Sequence, residues 1–383
     1  MGGVGIVGAG PAGLFAANAL TDAGVDCEVF ERLDEDAVRA RARAGVIEDR
    51  TARLLDAHGL ADGMLKRGKT VGTCEFRRDG RSFVFDYGAL SGRSHHIYPQ
   101  QFLVGDLIDA LRSKGGRVRF GTPVSSIDLK DRPVIRLAEG TAVACDLVLG
   151  CDGFHGASRA AATGVVCSEV DFGAEWLTLL AEVAPWSEQH IYGLHADGFA
   201  GHMHRNPTIT RFYLQVEPGT AIDDWDDDAI WSTLESRLGV PGQATGRGPI
   251  VERSIMELRS AVTQPMQAGS LYLAGDAAHI VTPAGGKGMN LALQDANELV
   301  EGVIALCRSG RRERLDAYST TRLPQIWSAV EFSHWMLQML LSRRSGAAVD
   351  EFHEGLRAAR LNRLMDGGLF AEDFAIAYVG VDK

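Results

Sequence analysis

Paired cysteines, net positive charge and long apolar runs are all missing from this chain. Its six cysteines, Cys27, Cys74, Cys145, Cys151, Cys167 and Cys307, form no C-x-x-C pair and no ligand-like spacing with histidine. That argues against a redox dithiol and fits reduced thiols in a cytoplasmic protein. The net charge of −11 argues against nucleic acid or an anionic membrane as the main partner. Apolar runs such as the one in HWMLQMLLS fall far short of the roughly 20 residues a bilayer span needs. The apolar start, MGGVGIVGAG, lacks the basic leader and cleavage site of a signal peptide, and Ile6 stands where a myristoylation signal has Ser or Thr. A soluble protein is expected. Repeats, low-complexity tracts and an obvious interdomain linker are also missing.

What is present is enough apolar residue, 45% of 383, for two or three domains. GVGIVGAG followed by PAGLFAANALTDAG reads as a buried strand, a glycine turn and an amphipathic helix, and DCEVFE as the next strand of a βαβ unit. TCEFRRDGRSFVFDY alternates about Asp79-Gly80 like a β-hairpin. Pro99 to Lys114 is helical, and CDLVLGCDG returns to strand. Glu175 to Val216 favours a separate sheet, WDDDAIWSTLESRL a helix whose acids suit its positive N-terminus, and nearly everything after Gly286 is helical.

Gly8-Ala9-Gly10-Pro11-Ala12-Gly13 fits G-x-G-x-x-G. The first glycine makes the turn, the second lets backbone approach a pyrophosphate, and the third packs helix on strand. Glu31 follows at the end of the next strand, suited to a ribose hydroxyl. This context points to a dinucleotide but does not choose between NAD and FAD.

Two further motifs make the choice. CDGFHGASR, Cys151 to Arg159, follows the strand DLVLG, and LYLAGDAAHIVTPAGGKGMNLALQDA runs from Leu271 to Ala296. With the first glycine motif, this order resembles the flavoprotein aromatic hydroxylases, most closely the 4-hydroxybenzoate 3-monooxygenase family, from Gly3 to Tyr378. The resemblance implies an α/β fold: a Rossmann-like FAD-binding domain, a β-sheet substrate domain and a helical C-terminal region. Its boundaries would be 1–170 for the FAD domain, with a hairpin near 72–96 joining the substrate side, 171–268 for the substrate sheet, and 269–383 for the returning FAD domain and helical region. It further implies that Gly8, Gly10, Ala12, Gly13, Glu31, Arg41, Arg43, Gln100, Asp152, Asp276, Pro283, Gly288, Met289 and Asn290 line the FAD, Asp276 on the ribityl chain. Backbone donors after Gly286, with Lys287 nearby, would stabilise charge on reduced flavin.

At the substrate end, the resemblance implies an oxygen-activating flavin hydroperoxide attacking an electron-rich ring. Moving a phenol from a pKa of about 10 to about 7 requires roughly 4 kcal/mol of differential stabilisation. By residue-by-residue match, Tyr192 faces the substrate phenol and Tyr378 continues the proton relay. Arg205 clamps the carboxylate with Tyr213, and the Pro283 carbonyl faces the ring. Arg211 is expected to be structural or near the flavin. Two departures stand out: Met203 occupies the place of a carboxylate-binding serine, and Thr70 roughly that of the relay histidine. An amino-substituted or further hydroxylated benzoate is therefore an alternative substrate.

NADH or NADPH would reduce the flavin, with Arg32, His155, Arg159 and Arg259 at the nucleotide. The carboxylates Asp34, Glu35 and Asp36 would repel a 2′-phosphate and so favour NADH or loose specificity. O2 and a small aromatic carboxylate are the remaining partners, and a homodimer is the family's common state. A flavin dehydrogenase or disulfide reductase, or a binding protein on a flavoprotein scaffold, are the competing readings. In GHMHRNPTITRFY, His202 and His204 alternate onto one strand face like metal ligands, but no third ligand accompanies them and no metal is expected.

Overall fold

The computed structural model describes residues 3–41, 45–342 and 347–380. Contacts divide the chain into two compact units: Met1–Gly68, Tyr98–Val170 and Ser260–Glu331 form one, and Lys69–Ile97, Asp171–Arg259 and Phe332–Lys383 the other. The helical C-terminal region is thus shared between them, and the hairpin Thr73–Asp86 belongs to the second.

In the first unit, Val4–Val7 is buried at all four positions, as a parallel strand covered on both faces must be. It pairs in parallel with Cys27–Phe30 on one side and Leu147–Gly150 on the other. The sheet runs Gln267–Ala268, Leu271–Leu273, Leu147–Gly150, Val4–Val7, Cys27–Phe30, Arg117–Arg119. The crossover is the helix Pro11–Asp22, opened by a proline whose fixed φ suits the first turn, and every residue from Ala12 to Leu20 is buried. Helices Gln100–Ser113 and Gly288–Ser309 pack on it. The expected α/β fold with its βαβ start is what forms.

The second unit is built on a sheet ordered Ile250–Gln264, Val166–Ala181, Ile209–Val216, Ala200–Asn206, His190–Gly193, Thr73–Arg78, Arg81–Asp86. Asp79 and Gly80 both take positive φ, 52° and 69°, the turn that matches strand twist in a two-residue hairpin. One sheet face carries Leu177, Leu179, Ile191, Phe212 and Leu214, which bury against Ile230, Trp231, Leu234 and Leu238 of the helix Asp227–Leu238. Asp226 caps that helix, accepting from Ala229 N at 2.7 Å. Strand alternation then turns His190, Tyr192, Gly201, Met203, Arg211 and Tyr213 to the opposite face. Among the described residues, no helix is long and apolar enough to cross a membrane.

Candidate active site

The first unit presents a dinucleotide cradle. Val4–Val7 and Leu147–Gly150 are neighbours, so their carboxyl ends bring Gly8 and Asp152 to the crevice where open α/β sheets take ligands. The three glycines each do a different job. Gly8 has φ +102°, and an added Cβ would lie 2.4 Å from the Cys151 carbonyl oxygen. At Gly13 a Cβ would lie 2.0 Å from the Gly8 carbonyl oxygen, so helix and strand need a glycine there. At Gly10 a Cβ would meet no protein atom within 4 Å, which leaves open space at the helix N-terminus. An anion's approach fits that opening. Glu31 is buried; its Oε2 accepts from Ala9 N at 2.7 Å and its Oε1 from Leu33 N at 3.0 Å, so the carboxylate also pins the turn. Asp152 Oδ2 accepts from Ser158 N at 3.0 Å, whereas Oδ1 is buried with no partner. Burial pushes the Asp152 carboxyl up in pKa, against the bond that the Ser158 N–H donates.

The second glycine-rich segment sits on a buried ionic scaffold that sequence reasoning missed. Lys287 is buried, and its Nζ donates to Glu48 Oε1 at 2.7 Å while Arg50 Nε donates to Glu48 Oε2 at 2.7 Å. Burial works against the Glu48 carboxylate, yet Lys287 and Arg50 hold it below the usual range. Lys287 itself is pushed down by burial, partly offset by Glu48. The lysine's charge is therefore balanced internally by Glu48, which leaves the backbone donors after Gly286 as the expected groups for a reduced flavin's charge. Asn290 is likewise committed: its Nδ2 donates to Val46 O and Gly286 O, and its Oδ1 accepts from Glu48 N. Asp276 is exposed in the turn Gly275–Ala277, Gly288 opens the next helix with no protein atom in a Cβ's reach, and Met289 is half-buried. The Pro283 carbonyl accepts from Gly286 N at 3.1 Å. Asp295 braces this region, accepting from Gly275 N, Arg322 Nε at 2.8 Å and His279 Nε2 at 2.6 Å. Despite burial, His279 and Arg322 hold its pKa at about 2. The spacing Gly-Asp-Ala-Ala-His…Asp was a sequence signal for this network.

Among the residues assigned to the nucleotides, Arg41 and Arg32 are exposed and Gln100 opens a helix, half-buried. Arg159 lies 3.6 Å over the Phe154 ring, which also touches His155 edge-on. Arg259 is half-buried in the second unit, and Arg43 lies outside the described residues. Asp34 caps the helix Glu35–Ala40, and Glu35 is held low by bonds from Arg112 and Arg39. Of the three carboxylates expected to repel a 2′-phosphate, two are thus committed elsewhere.

The face of the second unit's sheet away from the helix Asp227–Leu238 gathers the other residues. The Tyr192 and Tyr378 hydroxyls lie 2.7 Å apart, both buried, and burial raises both phenols well above their ordinary range. Phe76 stacks on Tyr192 at 5.3 Å. A histidine packs on Tyr378 at its ring and backbone carbonyl, not at its hydroxyl. His95 packs edge-on to the Tyr378 ring at 4.9 Å and its Nε2 donates to the Tyr378 carbonyl at 3.1 Å, and His96 Nδ1 lies 3.3 Å from Thr70 Oγ1 across a strand pair. Both histidines come from the neighbouring strand, which a position-by-position match could not see.

Arg205 is the residue skipped by a β-bulge between His204 and Asn206. It is partly buried and makes no hydrogen bond or ion pair with any described residue. Burial, with Arg211 nearby, lowers its pKa to about 10, while Tyr213 acts the other way. The Tyr213 hydroxyl also lacks a hydrogen-bond partner among the described residues. Met203 pairs in register with Arg211, whose guanidinium is taken up by Glu252 at 3.3 Å and lies over the Tyr213 ring. His202 is core: it accepts from Trp186 N at 3.0 Å and packs on Phe212, which ends the metal reading for it. His190, unremarked in the sequence, is 7% exposed with an unpartnered Nε2.

A glycine cradle of this form, at the carboxyl ends of neighbouring parallel strands, defines a dinucleotide-binding protein. The chain belongs to the FAD-binding-domain family of flavin-dependent aromatic monooxygenases: the FAD binding domain model matches residues 2–333. It is 34% identical to p-hydroxybenzoate hydroxylase of Acinetobacter baylyi, over 99% of this chain and 95% of that one. It is also 26% identical to a 3-amino-4-hydroxybenzoate 2-monooxygenase of Streptomyces platensis, covering 98% and 95%. Its fold matches the crystal structure of p-nitrophenol 4-monooxygenase from Pseudomonas putida with a TM-score of 0.84 at 20% identity, covering 100% and 99%.

Proposed function

We propose that this protein uses NADH or NADPH and O2 to hydroxylate a phenolic aromatic acid of the 4-hydroxybenzoate type, ortho to its hydroxyl. The observation that carries the proposal is the Arg205 guanidinium, free of partners among the described residues, on a unit that also presents the unpartnered Tyr213 hydroxyl and the Tyr192–Tyr378 pair. A charge held partly out of water with no direct ion pair, and only the more distant Glu252 carboxylate acting on it, is poised for an anion. Arg205 and Tyr213 grip the ligand's carboxylate and fix the ring. Tyr192 donates to the phenolate oxygen and Tyr378 to Tyr192, because burial keeps both as neutral donors. A hydrogen bond to a charged oxygen contributes about 1.5–3 kcal/mol, so the Tyr192 bond, polarised by Tyr378 behind it, supplies a large part of the ~4 kcal/mol that ionising a phenol near neutrality requires.

Gly8, Gly10, Ala12, Gly13, Glu31, Asp152 and Asp276 would hold FAD, which would supply electron transfer from the nicotinamide nucleotide and oxygen activation. Arg32, His155, Arg159 and Arg259 are the residues offered to that nucleotide. With Asp34 and Glu35 committed, the preference for NADH rests on Asp36 and the exposed run around it. A second reading, an amino-substituted hydroxybenzoate, is favoured by Met203, which cannot bind a carboxylate, and by the likeness to a 3-amino-4-hydroxybenzoate enzyme. Nicotinamide oxidation across a panel of hydroxy- and aminohydroxybenzoates, with product identification, tests both. Stimulated oxidation with a hydroxylated product supports hydroxylation; oxidation that never yields such a product refutes it.

A further inference from the structure

A buried imidazole with an unsatisfied nitrogen is costly unless something satisfies it, and His190 is such a group. Its side chain is 7% exposed, and Nε2 is buried without a hydrogen-bond partner. The strand His190–Gly193 settles where it faces. Ile191 turns into the apolar core against the helix Asp227–Leu238, so His190 and Tyr192, one residue to either side, share the opposite face. Ile191 pairs with His202 and Tyr192 with Gly201 in the antiparallel neighbour, so His190 falls beside Met203, next along that strand. Arg205 follows two residues later, and its charge acts directly on His190.

Burial first, and then the Arg205 charge, hold the imidazole neutral. A neutral imidazole still has one N–H to donate. The nearest groups in register, Cys74 and Met203, leave that donor unsatisfied: Cys74 is engaged with Tyr378, and a thioether is a weak acceptor. The same face therefore carries two groups with unused donors, the Arg205 guanidinium and the Tyr213 hydroxyl, and a third, His190 Nε2, that donates in the Nε2–H tautomer.

We propose that His190 is a third arm of the carboxylate clamp, donating from Nε2 to the ligand's carboxylate beside Arg205 and Tyr213. It stands on the strand next to Met203 and supplies the donor that Met203 lacks. This rests on the carboxylate reading of Arg205 given above, and it makes His190 a specificity-determining residue for acids over neutral phenols.

The test measures dissociation constants of 4-hydroxybenzoate and of neutral 4-hydroxybenzamide for the FAD-loaded protein, from the change in flavin absorbance. Replacing His190 by Leu should weaken the acid about tenfold or more and the amide less than about threefold. His190→Asn, which keeps an N–H donor, should retain most of the acid affinity. Adding Met203→Ser to His190→Leu, which restores a donor next in register, should recover part of it. An unchanged acid-to-amide ratio in His190→Leu overturns the proposal. So does equal loss of both ligands, or a variant that fails to fold or to hold FAD, since each marks His190 as a core residue. Acid binding that Arg205→Ala leaves intact fails differently: it removes the carboxylate reading itself, and this inference with it.

Discussion

Arg205→Met removes one charge and keeps an unbranched apolar stem, so it separates ligand recognition from folding. In the free protein, burial and the neighbouring Arg211 lower the guanidinium pKa from 12.5 to about 10. That corresponds to roughly 3 kcal/mol held against the charged form, which water around a partly exposed group reduces to about 1–2 kcal/mol. Because the folded-state value lies below the unfolded one, the penalty is present at every pH below it, including neutrality. The methionine variant should therefore melt at the same temperature as the parent without ligand, or a few degrees higher. With ligand the order reverses. Charge-assisted bonds to a carboxylate contribute about 1.5–3 kcal/mol, so affinity for 4-hydroxybenzoate should fall about 10- to 150-fold. Thermal melts with and without the acid, alongside a binding titration, read both effects. A variant that melts several degrees lower without ligand and still binds the acid normally would refute the reasoning, because Arg205 would then be a structural residue.

The glycine cradle separates in the same way. Gly10→Ala meets no protein atom and has an ordinary φ of −76°, so the apoprotein should stay stable while FAD affinity drops, whereas Gly13→Ala should compromise folding itself; melts of apoprotein and FAD retention on gel filtration distinguish them. Tyr192→Phe and Tyr378→Phe should each lower kcat about 10- to 100-fold at neutral pH with KM little changed, and activity should recover as pH rises towards the substrate phenol's own pKa, which a pH–rate profile checks. Asp295, held at about 2 against an ordinary 3.8, contributes about 2 kcal/mol that is fully present above the unfolded value and lost as pH falls from about 5 towards 2; Asp295→Asn should flatten that acid limb in denaturant melts at stepped pH.

Much of the fold was legible because its signals are local. Strand, turn and helix from Val4 to Asp22 follow from four buried residues, a glycine turn and a proline at the helix start. The hairpin follows from Asp79-Gly80, and the aspartates before Ala229 announce a capped helix. The buried scaffold was not legible. Glu48 and Lys287 are 239 positions apart, and no single-chain pattern pairs them. A lysine inside Gly-Gly-Lys-Gly-Met-Asn looked like a ligand group, but low-dielectric surroundings demand a counterion, and Glu48 provides it. The phenol–guanidinium face was readable in part, since alternation alone puts Met203 opposite His202. The bulge at Arg205 and the face shared by His190 and Met203 depend on strand pairing, which periodicity within one strand does not reveal. The same limit hid His95 and His96, which approach Tyr378 and Thr70 from another strand.

The central claim is that this flavoprotein transfers one atom of O2 to the ring of a phenolic acid. The most direct measurement supplies the FAD-loaded protein with NADH or NADPH and 18O2 in the presence of 4-hydroxybenzoate and its amino- and hydroxy-substituted relatives. Mass spectrometry of the products should find one 18O atom on the ring carbon beside the phenol, and Arg205→Met should abolish that product at low acid concentration. Nicotinamide oxidation that yields only hydrogen peroxide, with every acid in the panel recovered unlabelled, would contradict the account.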